Sequence, residues 1–89
     1  MDVNKKQRQM LDRIFEKPDR SDIAWSDIEG LFKALGGEIS EGRGSRVRVA
    51  LRDVKAVFHR PHPQRAANRG ALRSVRRFLL EAGVNLDGI

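Results

Sequence analysis

The sequence predicts an α+β fold: one extra helix, then the order α-β-β-β-α, with two helices packed on one face of an antiparallel sheet. Three observations predict it. Apolar residues recur every three or four positions towards both ends of the chain, they alternate with polar ones in its middle, and glycines and prolines stand where one pattern gives way to the next. A chain of 89 residues has room for one core and no second domain.

Met10, Leu11, Ile14 and Phe15 recur at helical spacing among Lys, Gln, Arg and Asp, which predicts an amphipathic helix over 5–16 that Lys17-Pro18 ends. Its short apolar stripe docks either on the main body, where it completes the core, or on a partner. Residues 1–20 are accordingly read as a helix and linker, and 21–84 as the folded domain. After the polar link 19–22, Ile23 and Trp25 lead into Ser26-Asp27-Ile28-Glu29, a capping-box pattern with Ser26 as N-cap and Glu29 as its reciprocal partner. Ile28, Leu31, Phe32 and Leu35 form the buried face of the helix that follows, and Gly36-Gly37 supplies the left-handed residue that stops it. Trp25 is read as a core or staple residue rather than a platform for stacking bases.

From Glu38 the period changes to two. Ile39 anchors a short strand, Gly42-Arg43-Gly44 makes a turn, and Val47, Val49 and Leu51 alternate with Arg46, Arg48 and Ala50. Beyond Arg52-Asp53, Val54, Ala56 and Phe58 alternate with Lys55, Val57 and His59. A two-residue loop at Arg52-Asp53 sets Leu51 against Val54, Val49 against Ala56 and Val47 against Phe58 on the buried side, hence Arg46 opposite His59 and Arg48 opposite Val57 on the open side. Arg-Asp is a poor pair for such a turn, and a four-residue loop with the same alternation gives the same facings. The polar stretch 61–68, with two prolines, reads as a loop. Asn68 caps a last helix with Leu72, Val75, Phe78, Leu79 and Ala82 inward, Arg69, Arg73, Arg76 and Arg77 on its other faces, and Gly83 at its end; 85–89 is a tail.

Eighteen Lys and Arg against twelve Asp and Glu give a formal net charge of +6, with the arginines concentrated over 43–77. That balance favours a polyanionic partner, and arginine suits bidentate contact with phosphate. The absence of cysteine excludes a disulfide framework, a thiolate zinc site and a cysteine nucleophile, and fits a cytoplasmic setting. The first residues, MDVNKKQRQMLDRIF, lack the apolar stretch of a secretion signal, and no run approaches the roughly 20 apolar residues that span a bilayer. A soluble, cytoplasmic protein with no membrane contact is therefore expected.

Four motifs in order resemble one family. The stretch 23–37 (IAWSDIEGLFKALGG), then Gly42-Arg43-Gly44-Ser45-Arg46, then Pro61-His62, and finally Gly70-Ala71-Leu72-Arg73-Ser74-Val75 through to Ala82-Gly83 resemble the HicA toxins and span about three-quarters of the chain. The resemblance implies a double-stranded-RNA-binding-like (dsRBD-like) fold, a type II toxin–antitoxin system, messenger-RNA endonuclease activity (an mRNA interferase, a hydrolase) and a HicB-like antitoxin as partner. The family reads Gly-Ser-His after the first strand, and that histidine is catalytic. Here the triplet is Gly44-Ser45-Arg46. An arginine stays protonated near neutrality and cannot act as a general base.

Phe58-His59-Arg60-Pro61-His62-Pro63 offers a replacement. Cleaving RNA without a metal takes a base for the 2′-hydroxyl proton, an acid for the leaving oxygen and positive charge on the phosphate, and the ordinary titration range of histidine suits both proton roles. His59 and His62 are the expected catalytic pair. Arg43, Ser45, Arg46, Arg48, Arg60 and Arg73 are the expected RNA-binding set. His59-x-x-His62 lacks a third ligand from Cys, His or a tight acidic cluster, so neither a metal nor another cofactor is expected. The alternative is a catalytically inactive RNA-binding or protein-interaction module, motivated by Arg46 at the histidine position.

Overall fold

Alternation of period two along the middle of the chain builds the sheet, and the periodic segments on either side supply the helices that cover it. A computed structural model describes residues 4–60 and 65–84. In order the elements are α1 (Lys5–Ile14), α2 (Trp25–Ala34), β1 (Glu38–Glu41), β2 (Arg46–Leu51), β3 (Val54–His59) and α3 (Arg69–Glu81). The sheet is antiparallel in the order β1-β2-β3. The fold is therefore α+β and dsRBD-like, with an additional N-terminal helix, as expected. The tail 85–89 lies outside the described residues.

The predicted facings hold. Arg46 pairs with His59, Val47 with Phe58, Arg48 with Val57, Val49 with Ala56 and Leu51 with Val54. Arg52 and Asp53 adopt φ of 49° and 69°, so the two-residue loop forms although neither residue is glycine. Both central residues of a type I′ turn need positive φ, and its twist matches the strands it joins. Val47, Val49, Leu51 and Phe58 point into the core. Phe58 sits at the centre of an aromatic cluster, with ring centroids 5.7 Å from Trp25, 5.7 Å from Phe32 and 5.6 Å from Phe78. Trp25 is fully buried, in keeping with the core role expected of it.

Three helix details depart from the sequence reading. The N-cap of α2 is Ala24, not Ser26, and it makes no side-chain cap bond. Backbone pairing takes over at this helix start: Ala24 bridges Ala66, and the Trp25 N–H donates to the Arg65 carbonyl at 3.0 Å. Glu29, expected to reach back to the cap, is instead drawn to Trp25 and Arg60. Helix α1 ends at Ile14 and begins with a capping box between Asn4 and Gln7. Leu11 and Ile14 are fully buried in the same cluster as α2, α3 and the sheet, so the helix completes the core.

The third departure concerns Arg76, expected on an outer face of α3. It is 8% exposed. Its Nε donates to the Ile14 carbonyl at 2.7 Å, and its guanidinium also bonds the Asp19 carboxylate. Arg76 thus ties α3 to the end of α1 and the segment after it, and its hydrogen bond holds the Asp19 carboxyl below the usual carboxylate range. Among the described residues no buried side-chain polar atom lacks a partner.

Candidate nucleic-acid interface

The helices cover one side of the sheet and leave the other open. Because residues paired across an antiparallel ladder share a face, the open side presents three rows: Arg46 with His59; Ser40, Arg48 and Val57; Glu38, Ala50 and Lys55. Arg46, Arg48, Lys55 and His59 are all exposed, and Val57 is 59% exposed. The lower two rows line a shallow depression around Arg48. Glu38 is the only acidic side chain in these rows, against the cations Arg46, Arg48 and Lys55.

The turn from Gly42 to Arg46 brings further polar groups to the same end. Gly44 has φ of +60°, a conformation that side chains rarely take, and the Gly42 N–H donates to the Arg46 carbonyl at 2.9 Å. Arg43 and Ser45 are exposed on this turn. The Ser45 carbonyl accepts from the Arg60 N–H at 2.7 Å, which binds the turn to the end of β3 directly after His59. Arg43, Arg46, Arg48 and Lys55 make no ion pair among the described residues.

Arg60 is committed elsewhere. Its Nε lies 2.7 Å from Glu29 Oε2 and its Nη1 lies 2.8 Å from Glu41 Oε1, so it joins α2 to the end of β1. The Glu29 hydrogen bond, then that of Glu41, raises its pKa further above the ordinary guanidinium value. Sequence spacing gave no signal of this, since the two carboxylates precede it by 31 and 19 positions.

Arg73 is also apart from the sheet-face group. It lies on α3, on the helical side of the sheet, with Nε 3.8 Å from Asp19 Oδ2. The expected RNA-binding residues are thus divided: Arg43, Ser45, Arg46 and Arg48 belong to the open sheet and its turn, Arg60 to an ion-pair network, and Arg73 to a separate helix. His59 joins the first group, and His62 lies outside the described residues. The expected RNA-binding set omitted Lys55, although the alternation of its strand puts it on the side of His59, and Ser40, which pairs with Arg48. Among the described residues no group of three or more His, Cys, Asp or Glu is placed to hold a metal ion.

The class defined by these features is a small dsRBD-like protein whose sheet carries an open, arginine-rich face. A family model described as HicA toxin of bacterial toxin-antitoxin matches residues 25–84, about two-thirds of the chain, from the start of α2 to the residue after Gly83. The chain belongs to the HicA toxin family, and it is a toxin of the toxin–antitoxin class. No curated protein and no solved structure matches it. No helix among the described residues is long and apolar enough to cross a membrane.

Proposed function

We propose that this HicA-family protein acts in the cytoplasm, binds messenger RNA across the open sheet face and cleaves it as a metal-independent endoribonuclease, with residues 21–84 as the working unit and 1–20 as an accessory helix and linker. The observation that carries the reading is the register that sets Arg46 opposite His59, with Arg48 next on the same face. In the cleavage step the 2′-oxygen bonds to the adjacent phosphorus and the bond from phosphorus to the 5′-oxygen breaks, leaving a 2′,3′-cyclic phosphate and a 5′-hydroxyl. One imidazole takes the 2′-hydroxyl proton and another group protonates the departing 5′-oxygen; His59 fills one role and His62 is its proposed partner. Arg46 and Arg48 offset the charge that builds on the phosphate, and Arg43 and Ser45 hold the flanking backbone.

A HicB-like antitoxin that covers Arg46 and His59 would silence the protein by occupying the RNA surface, and it is proposed to co-purify with this chain when the adjacent gene is co-expressed. The cleavage test is incubation of structured and single-stranded RNA with the purified protein in EDTA. Cleavage that is lost in His59→Ala and kept in Lys33→Ala, an exposed position of α2 away from the sheet face, supports the assignment. Intact RNA at large protein excess refutes the nuclease. Intact RNA that is nevertheless bound supports the second reading, a non-catalytic RNA-binding module, which Arg46 in the family's histidine position favours.

A further inference from the structure

The open sheet face holds one residue that phosphate binding does not explain. Glu38 is the only carboxylate in its three rows, and a negative charge near Arg48 and Lys55 weakens the hold of those cations on a polyanion. The fold does not account for it either. The other glutamate of β1, Glu41, is engaged by Arg60 at 2.8 Å, whereas Glu38 is exposed and has no ion pair among the described residues.

The position of Glu38 gives the carboxylate a use. Glu38 pairs with Ala50 and Ala50 with Lys55, so the acid and the amine flank a small residue on the central strand. Two strand spacings of about 4.8 Å set Glu38 and Lys55 about 10 Å apart. The short side chain of Ala50 leaves the middle of the row low, and the row is part of a depression of about 580 Å³ that Ser40, Arg48 and Val57 continue. Small-molecule pockets occupy about 300–1,000 Å³, so a single nucleobase has room. Along the strands the Arg48 row is about 7 Å, and the Glu38 row about 13 Å, from Arg46 and His59. A nucleotide whose phosphate lies on Arg46 therefore reaches the depression with its base.

The chemistry of base edges selects guanine. A carboxylate only accepts hydrogen bonds, and it accepts two in parallel. Guanine offers adjacent N1–H and N2–H donors on one edge, and O6 and N7 are acceptors for an ammonium group. Cytosine and adenine each offer an amino donor beside a ring nitrogen whose lone pair would face the carboxylate, and uracil offers N3–H between two carbonyls. Arg48 supplies a guanidinium plane for the ring face, and Val57, 59% exposed, supplies apolar contact.

We propose that Glu38 and Lys55 form a guanine subsite. Glu38 takes N1–H and N2–H, Lys55 donates to O6 or N7, and Arg48 and Val57 hold the ring, so the protein prefers single-stranded RNA with guanosine next to the phosphate on Arg46. The inference rests on the sheet-face reading of RNA binding and adds a base preference to it.

The test measures affinity by fluorescence anisotropy for four nine-nucleotide strands of uridine that carry G, A, C or U at the central position. All are 2′-fluoro strands, which lack the nucleophile and cannot be cut, so the readout does not depend on cleavage. The full chain is compared with Glu38→Gln and Arg46→Gln, and thermal melts confirm that each is folded. Wild type is expected to bind the G strand about 10-fold more tightly than the other three, the discrimination that a bidentate pair supplies. Glu38→Gln is expected to lose that preference and, with a negative charge removed, to bind the U strand at least as tightly as wild type. Arg46→Gln is expected to weaken all four about equally. Equal affinities in wild type, a preference for another base, or a guanine preference that survives in Glu38→Gln overturns the subsite; the sheet-face reading then still stands if Arg46→Gln weakens every strand. A guanine preference that Glu38→Gln abolishes, with Arg46→Gln binding as wild type, overturns the phosphate role of Arg46 and leaves the subsite. A wild type that binds none of the four overturns both.

Discussion

Arg76→Met removes the guanidinium that joins α3 to the N-terminal helix and keeps most of its aliphatic stem. The Ile14 carbonyl loses a charged donor at 2.7 Å, in a site where Arg76 is 8% exposed and Ile14 is fully buried. A buried acceptor left without its donor costs about 1–3 kcal/mol. At 4–8 °C per kcal/mol for a domain of this size, a loss of about 2 kcal/mol lowers Tm by roughly 8–16 °C. The Asp19 carboxylate, left with only the longer Arg73 contact at 3.8 Å, adds to the loss in the same direction. It also gives the effect a pH signature. Its folded pKa is depressed below the unfolded value of 3.8, chiefly by the hydrogen bond from Arg76, so its contribution is present above that value and fades as pH falls through the folded pKa. The gap in Tm between wild type and variant is therefore expected to be constant from pH 5 to 7 and to narrow below about pH 4. Replacing both partners, as Arg76→Met/Asp19→Leu, restores part of the loss because the mostly buried carboxylate that has lost its short partner is gone as well. Thermal melts by circular dichroism across pH measure all three. Equal Tm values at pH 7, or a gap that widens on acidification, would refute the reasoning.

Other expectations follow from the hairpin, the ion-pair network and the family motif. Asp53→Gly relieves a φ of 69° and is expected to raise Tm by about 2–5 °C in the same melts, the relief of left-handed strain exceeding the entropy that glycine loses. Glu29→Gln weakens the anchor that Arg60 shares with Trp25 and is expected to cost about 1.5–3 kcal/mol in urea unfolding; an unchanged midpoint would deny the network its structural role. Arg46→His recreates the family's Gly-Ser-His and supplies a second imidazole beside His59, so cleavage of a labelled RNA is expected to rise by about 100-fold or more, and no gain in rate would argue that the site lacks the geometry for proton transfer.

Where local patterns control structure, the sequence was enough to read it. Alternation from Arg46 to His59 determined which side chains face the core, and one greasy side forces the register because a slip of one residue would expose Val47, Val49 and Leu51 together. The same logic puts Arg46, Arg48 and His59 on one surface. It failed for contacts that join distant parts of the chain. A helical wheel assigns Arg76 to the outside because it is charged, but its partners sit 62 and 57 positions away. Arg60 reads as one more cation after His59, while Glu29 and Glu41 claim it in the fold. The Ser26 and Glu29 pattern of a capping box lost to backbone pairing between Ala24 and Ala66, which no local motif announces. The Asn4 and Gln7 box was legible from spacing alone and was missed.

The most direct test of the account is where RNA touches the protein. Backbone amide and histidine-ring chemical shifts followed by NMR during titration with a short RNA are predicted to move most at Arg46, Arg48, Val57 and His59, with saturation at a common concentration. Shifts that leave these open-face residues in place while RNA binds would contradict it.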